Sequence, residues 1–117
     1  MNNIKKGIKG EVEAVNYLIS QGYRIMDRNY RTKAGEIDIV ATKSNILVFV
    51  EVKARTTTRY GYPYEAVNRR KQMKIYKSSL IYIQHKGFSD YQIRYDIIEV
   101  LLNGNTRINH IKNAFSR

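Results

Sequence analysis

Two short segments restrict this chain more than any other part of it: Gly35-Glu36-Ile37-Asp38-Ile39-Val40-Ala41 and Phe49-Val50-Glu51-Val52-Lys53. Both read as strands, and Thr42-Lys43-Ser44-Asn45 between them reads as a turn. With a two-residue turn at Ser44-Asn45, Lys43 pairs with Ile46. Ile37 then faces Val52, Ile39 faces Val50 and Ala41 faces Val48, which makes one wholly apolar face. The other face sets Asp38 against Glu51 and Glu36 against Lys53. Directly opposed Cβ atoms of an antiparallel pair lie about 4.5–5.5 Å apart, where like charges repel. A sheet gains nothing from that arrangement unless a cation lies between the carboxylates, and hard oxygen ligands suit Mg2+ or Mn2+.

Lys53 belongs to the same pattern. Alternation along a strand sends Glu51 and Lys53 to one side. A metal held by Asp38 and Glu51 beside an ammonium can position and activate water and neutralise charge on a phosphoryl group. The competing reading is a solvated face carrying a Glu36–Lys53 ion pair. The placement of the acids in register on two apolar strands favours the metal.

Charge supplies a partner for such a site. Lysines and arginines number 21 against 10 acidic residues, a net charge of +11, which favours nucleic acid through its phosphates. An anionic membrane surface is the rival, but no strongly amphipathic basic helix supports it. The chain has no cysteine, so a disulfide framework or thiolate zinc site is ruled out. Its two histidines, His85 and His110, are far apart and read as structural or surface residues. No stretch is apolar enough for a signal peptide or a bilayer span, so the expected compartment is the cytoplasm. At 117 residues the chain is expected to be one domain spanning 1–117.

Residues 8–21 have helical spacing, with Ile8, Val12, Val15 and Ile19 on one stripe and Gly22 as a stop. Glu11 lies at the edge of that stripe. By spacing alone it serves equally well as a further ligand or as a solvated residue. Tyr23 to Tyr30 should be a strand near a sheet edge, followed by the basic loop Arg31-Thr32-Lys33-Ala34-Gly35. Ala54 to Tyr64 is too polar and irregular for core and is expected to be a mobile loop beside the site. Residues 65–84 predict a second helix, with Ala66, Met73, Tyr76, Leu80 and Ile83 on one face and Arg69-Arg70-Lys71 near its start. Residues 92–102 predict a strand, and Asn103-Gly104 a tight turn before a short return over 106–110. The order α-β-β-β-α-β implies an α/β domain, a mixed central sheet flanked by helices. Tyr60, Tyr62 and Tyr64 alternate near Arg55, Arg59, Arg69 and Arg70, a composition suited to stacking on bases and contacting phosphate. Plain packing onto the surface explains those tyrosines equally well.

This order, with its two motif strands, resembles the restriction-endonuclease-like (PD-(D/E)xK) nuclease superfamily. The chain is more closely similar to the uncharacterised bacterial YraN-like family. That resemblance extends to Gly10-Glu11, Ala66-Val67 and the lysine-rich helix after it, Arg94 to Val100, and His110 to Phe115. Archaeal Holliday-junction resolvases are similar at a greater distance. The resemblance implies that Asp38 and Glu51 hold Mg2+ or Mn2+, with Glu11 and the Val52 carbonyl as further ligands and Lys53 as the catalytic lysine. It has Ile37 where the superfamily often has proline. Glu36 is an auxiliary residue that could bond the preceding loop, pair with Lys53 or join the site. Asp96 reads as structural, with no identifiable partner, and Asn113-Ala114-Phe115 as packing of the chain end. The implied activity is a metal-dependent endonuclease on DNA rather than RNA, acting on structured or branched DNA in repair or recombination. Nucleic-acid contacts would fall to Lys33, Arg55, Arg59, Tyr60, Tyr62, Arg69, Arg70 and Lys71. The small size points to a homodimer or a partner protein on a junction. The alternative is a non-catalytic nucleic-acid-binding module that keeps the nuclease fold.

Overall fold

The computed structural model describes residues 2–56 and 67–116. Helix α1 (Asn3–Ser20) leads into strands β1 (Arg24–Thr32), β2 (Gly35–Lys43) and β3 (Ile46–Arg55). Helix α2 (Arg69–Lys86), β4 (Gln92–Leu101) and β5 (Arg107–Phe115) follow. The five strands lie in chain order in one mixed sheet, β1-β2-β3-β4-β5. Only the β3–β4 pair is parallel, because α2 carries the chain back across the sheet between them. β1 is an edge, as its polarity predicts. β5 runs nine residues to Phe115, longer than the short return expected, so the order is α-β-β-β-α-β-β. Of the loop expected over 54–64, Ala54 and Arg55 belong to β3. Arg59, Tyr60, Tyr62 and Tyr64 lie outside the described residues.

Each helix covers one face of the sheet. Against α1 pack Ile39, Ala41, Val48, Val50, Ile98 and Val100; against α2 pack Ile37, Val40, Leu47, Phe49, Tyr95 and Ile97. Asparagine side chains cap both helices, Asn2 accepting from the Lys5 amide at 2.8 Å and Asn68 from the Lys71 amide at 2.9 Å. Gly87 ends α2 in the left-handed region, φ 82°.

The buried face of α1 differs from the expected one. Gly10, Ala14 and Leu18 face the sheet, while Ile8, Val12 and Ile19 are 62%, 41% and 56% exposed. The cause is proximity: a Cβ on Gly10 would come within 2.6 Å of the Ala54 Cβ. A helix that lies so close to its sheet must present small residues there, and the larger aliphatics turn outward. α2 is offset in the same way. Ile75, Ser78, Ser79 and Tyr82 are buried and Leu80 is exposed, because the serines find partners inside: Ser79 with the Tyr95 hydroxyl at 2.7 Å and Ser78 with Thr32 at 2.9 Å.

Candidate active site

The hairpin forms with the turn read from its sequence. Lys43 pairs with Ile46, Ala41 with Val48 and Ile39 with Val50. The paired register runs no further toward Gly35. Beyond it Asp38 stands where the ladder would continue, and its Oδ2 accepts the Val52 amide at 2.8 Å. A side chain thus replaces a backbone acceptor at the point where the strands part. β1 answers on the other side: its register passes from Arg28↔Ile39 to Tyr30↔Ile37, stepping over Asn29 and Asp38. Asn29 has φ 51°, a conformation asparagine tolerates better than most residues. This irregularity corrects the expected apolar face. Ile37 joins the cluster under α2 with Ile75 and Tyr82, on the other side of the sheet from Ile39 and Val50.

Where the strands part, two concavities open. One lies under the start of α1 and is lined by Asn3, Ile8, Glu11, Glu36, Asp38 and Val52, among others. The second lies against α2 and is lined by Glu36, Asp38, Glu51, Lys71, Lys74 and Ile75, together with Gly35. Asp38 and Glu36 line both, Glu11 only the first and Glu51 only the second.

Each acid has a different tether. Glu51 is 5% exposed, and its Oε1 lies 2.6 Å from Lys71 Nζ and 3.8 Å from Lys53 Nζ. Glu11 Oε1 accepts from Asn29 Nδ2 at 2.8 Å and lies 3.1 Å from an Arg28 guanidinium nitrogen. Glu36 lies 3.7 Å from Arg31, not against Lys53 as the extended register would require. Asp38 has the Val52 amide and no ion pair among the described residues. Burial first, and the Glu51 charge second, push its carboxyl up to about 7. Burial and the neighbouring Lys71 ammonium lower the Lys53 pKa. Burial alone would lower Lys71 too, but its contact with Glu51 outweighs burial and raises it.

Among the described residues no three acidic or histidine side chains are gathered closely enough to form a ready metal cage. The tethers explain this, since Arg28 and Asn29 hold Glu11 and Lys71 holds Glu51. The donor chemistry still fits a hard divalent cation: the carboxylate of Asp38 lies between the concavity that Glu11 lines and the one that Glu51 lines.

The outer residues divide. Lys33, Arg69 and Arg70 are exposed, Lys33 at the β1–β2 turn and the arginines on the first turn of α2. Arg55 is mostly buried and lies 3.4 Å from buried Glu99. Lys71, expected to contact a nucleic-acid backbone, reaches into the site. Its offset of 20 residues from Glu51 and its place at a helix start give no sequence signal for that contact. No helix among the described residues is long and apolar enough to cross a membrane.

Residues 10–100 match the sequence model of the uncharacterised protein family UPF0102. A UPF0102 protein of Clostridioides difficile (strain 630) is 49% identical over 115 residues, covering 98% of this chain and 100% of its own length. A second, from Caldanaerobacter subterraneus subsp. tengcongensis, is 46% identical over 119 residues and covers 98% of both chains. A third, from Fusobacterium nucleatum, is 48% identical over 101 residues, with 86% of this chain and 85% of its own covered.

Proposed function

The chain belongs to the uncharacterised protein family UPF0102, and from that premise and the site geometry we propose that it is a metal-dependent deoxyribonuclease. Its fold is read as restriction-endonuclease-like: Asp38 and Glu51-x-Lys53 stand on adjacent strands, followed by a helix and a parallel strand. Structured or branched DNA in repair or recombination is the substrate class, bound by a homodimer or with a partner protein. The observation that carries the reading is the state of the central groups. Asp38 is held near neutrality by burial and Glu51, and Lys53 beside it has a lowered pKa. Neighbouring titratable groups pushed away from their ordinary values make a candidate reaction centre.

Asp38 and Glu51 would hold Mg2+ or Mn2+, with Glu11 and Val52 lining the concavity on the α1 side. The bound cation supplies charge neutralisation at the phosphoryl group and a more acidic water. Lys53, on the same strand as Glu51 and 3.8 Å from its Oε1, would orient the attacking water or offset the negative charge that develops on the phosphoryl group. The water oxygen adds to phosphorus as its proton passes to solvent, the P–O ester bond breaks, and the leaving oxygen takes a proton from solvent. Exposed Lys33, Arg69 and Arg70 position the sugar-phosphate backbone without reading bases.

Cleavage assays with Asp38→Asn test this directly. In Mg2+ or Mn2+ the variant should lose at least about a hundredfold in rate; unchanged cleavage would contradict the reading. One observation favours the alternative, a nucleic-acid-binding module without catalysis: Glu51 and Glu11 are both neutralised by the protein's own cations. Salt-sensitive DNA binding with no cleavage by the wild type would select it.

A further inference from the structure

Lys71 has a contact that backbone binding does not require. Its Nζ lies 2.6 Å from Glu51 Oε1, closer than Lys53 Nζ at 3.8 Å from the same oxygen. Its main chain is fixed at the start of α2 by the Asn68 cap, yet its side chain is 42% exposed. Lys71 also lines two concavities that differ in their acids. One is lined by Glu36, Asp38 and Glu51 together with Lys71 and Lys74; the other, at the start of α2, is lined by Asn68, Arg70, Lys71 and Lys74 and has no acid among its described lining residues. The same ammonium therefore borders the concavity that holds the three acids and one lined by basic side chains.

We infer that Lys71 is an exchangeable counter-ion: it neutralises Glu51 until a divalent cation takes that carboxylate, and then turns to a phosphate of the substrate backbone in the basic concavity. This rests on the nuclease reading above and adds the order of events within it. An ammonium and a divalent cation compete for one carboxylate, so each weakens the other's hold. The released ammonium lies beside Arg70 and Lys74, where their mutual repulsion falls once an anionic phosphate is present. Metal binding and backbone binding are thereby coupled through a single side chain. Lys71 is a positioning residue in this account, and Lys53 keeps its role at the attacking water.

Mn2+ titration calorimetry, repeated by electron paramagnetic resonance of free Mn2+, tests the exchange without reference to cleavage. The wild type, Lys71→Gln, Lys71→Arg and Asp38→Asn are compared at pH 8. Removing the competing charge should make Lys71→Gln bind Mn2+ about tenfold more tightly, within the usual range of coupling between sites. Lys71→Arg keeps the charge and should remain within about twofold of the wild type. A short duplex DNA should bind Lys71→Gln several-fold more weakly in Mn2+ than it binds Lys71→Arg. Equal or weaker Mn2+ binding by Lys71→Gln, where the wild type binds and Asp38→Asn does not, would overturn the exchange and leave the metal site standing. No Mn2+ binding by the wild type, or equal binding by Asp38→Asn, would overturn the metal reading and the exchange with it. Should Lys71→Gln not fold, Lys71→Met is measured against the same limits.

Discussion

Asp38 and Asp96 occupy equivalent kinds of place and meet opposite fates. Each stands at an irregularity of the sheet, and each takes up a backbone amide that the ladder leaves over. Asp38 accepts from Val52 beside left-handed Asn29. Asp96 accepts from left-handed Asn113, where β5 has extra residues between the Tyr95↔Phe115 and Ile97↔Ile111 pairs. Asp96 is then saturated: Arg94 grips both its oxygens, and His110 Nε2 bonds Oδ2 at 2.7 Å. Tyr17 and Tyr23 close the network from α1 and the turn after it, through His110 and Arg94. Despite burial, these partners hold the Asp96 carboxyl below its ordinary range. Asp38 has one amide, an acidic neighbour and two open concavities, and its pKa rises instead. A fully satisfied buried carboxylate holds a fold together, whereas an under-satisfied one facing a cavity is left open to a ligand.

The contrast is most easily broken at Asp96. Asp96→Ala leaves the Arg94 charge and His110 without their partner, and the expected loss is about 3–5 kcal/mol of folding stability, read from urea denaturation. A loss below about 1 kcal/mol would remove the distinction between the two sites. Asp38→Asn should act in the opposite direction. The folded-state pKa of Asp38 lies above its ordinary value, so its contribution to stability is full below about pH 4 and is lost as pH rises through about 7. Asn keeps an acceptor for the Val52 amide and carries no charge, so the variant should gain on the order of 1–2 kcal/mol over the wild type at pH 8. That gain should shrink toward low pH, as thermal melts at pH 4 and pH 8 will show. Asp96, with its lowered pKa, contributes stability that is present above about pH 4 and is lost only as acid titrates the folded-state carboxyl.

Metal binding sharpens the comparison from the ligand side. The cation must displace the Asp38 proton, so Mn2+ affinity should fall by up to about tenfold per pH unit below pH 7 and level off above it. A flat profile in calorimetry would mean that Asp38 is not a ligand. The smallest effect belongs to the outer face of α1. Ile8 is 62% exposed, so Ile8→Ser should change stability by no more than about 0.5 kcal/mol. Leu18→Ala, at a fully buried position, should cost about 2–5 kcal/mol by the same urea measurement.

Legibility in the sequence followed the length scale of the contacts. The hairpin register from Lys43↔Ile46 to Ile39↔Val50 is local, and turn residues with alternating aliphatics specify it. The departure at Asp38 is not local, because it involves Asn29 of β1 and the Val52 amide together, and alternation alone puts Ile37 on the wrong face. Periodicity points to the wrong helix faces for a related reason. Gly10 and Ala14 carry too little apolar weight to outvote Ile8 and Val12 in a periodicity, although close approach to Ala54 decides the matter. Asp96 showed no partner in sequence because His110 and Asn113 reach it from β5, the strand whose length was underestimated. Lys71 was recognised as a basic residue near the site, while its contact with Glu51 needed the fold.

Cleavage of single-stranded, duplex, flap and four-way-junction DNA in Mn2+ or Mg2+, comparing the wild type with Lys53→Ala, tests the central claim most directly. Cleavage of at least one branched substrate by the wild type, reduced on the order of a hundredfold or more in Lys53→Ala with folding intact, is the predicted result. Equal rates for the two proteins, or DNA binding without cleavage by the wild type, would contradict it.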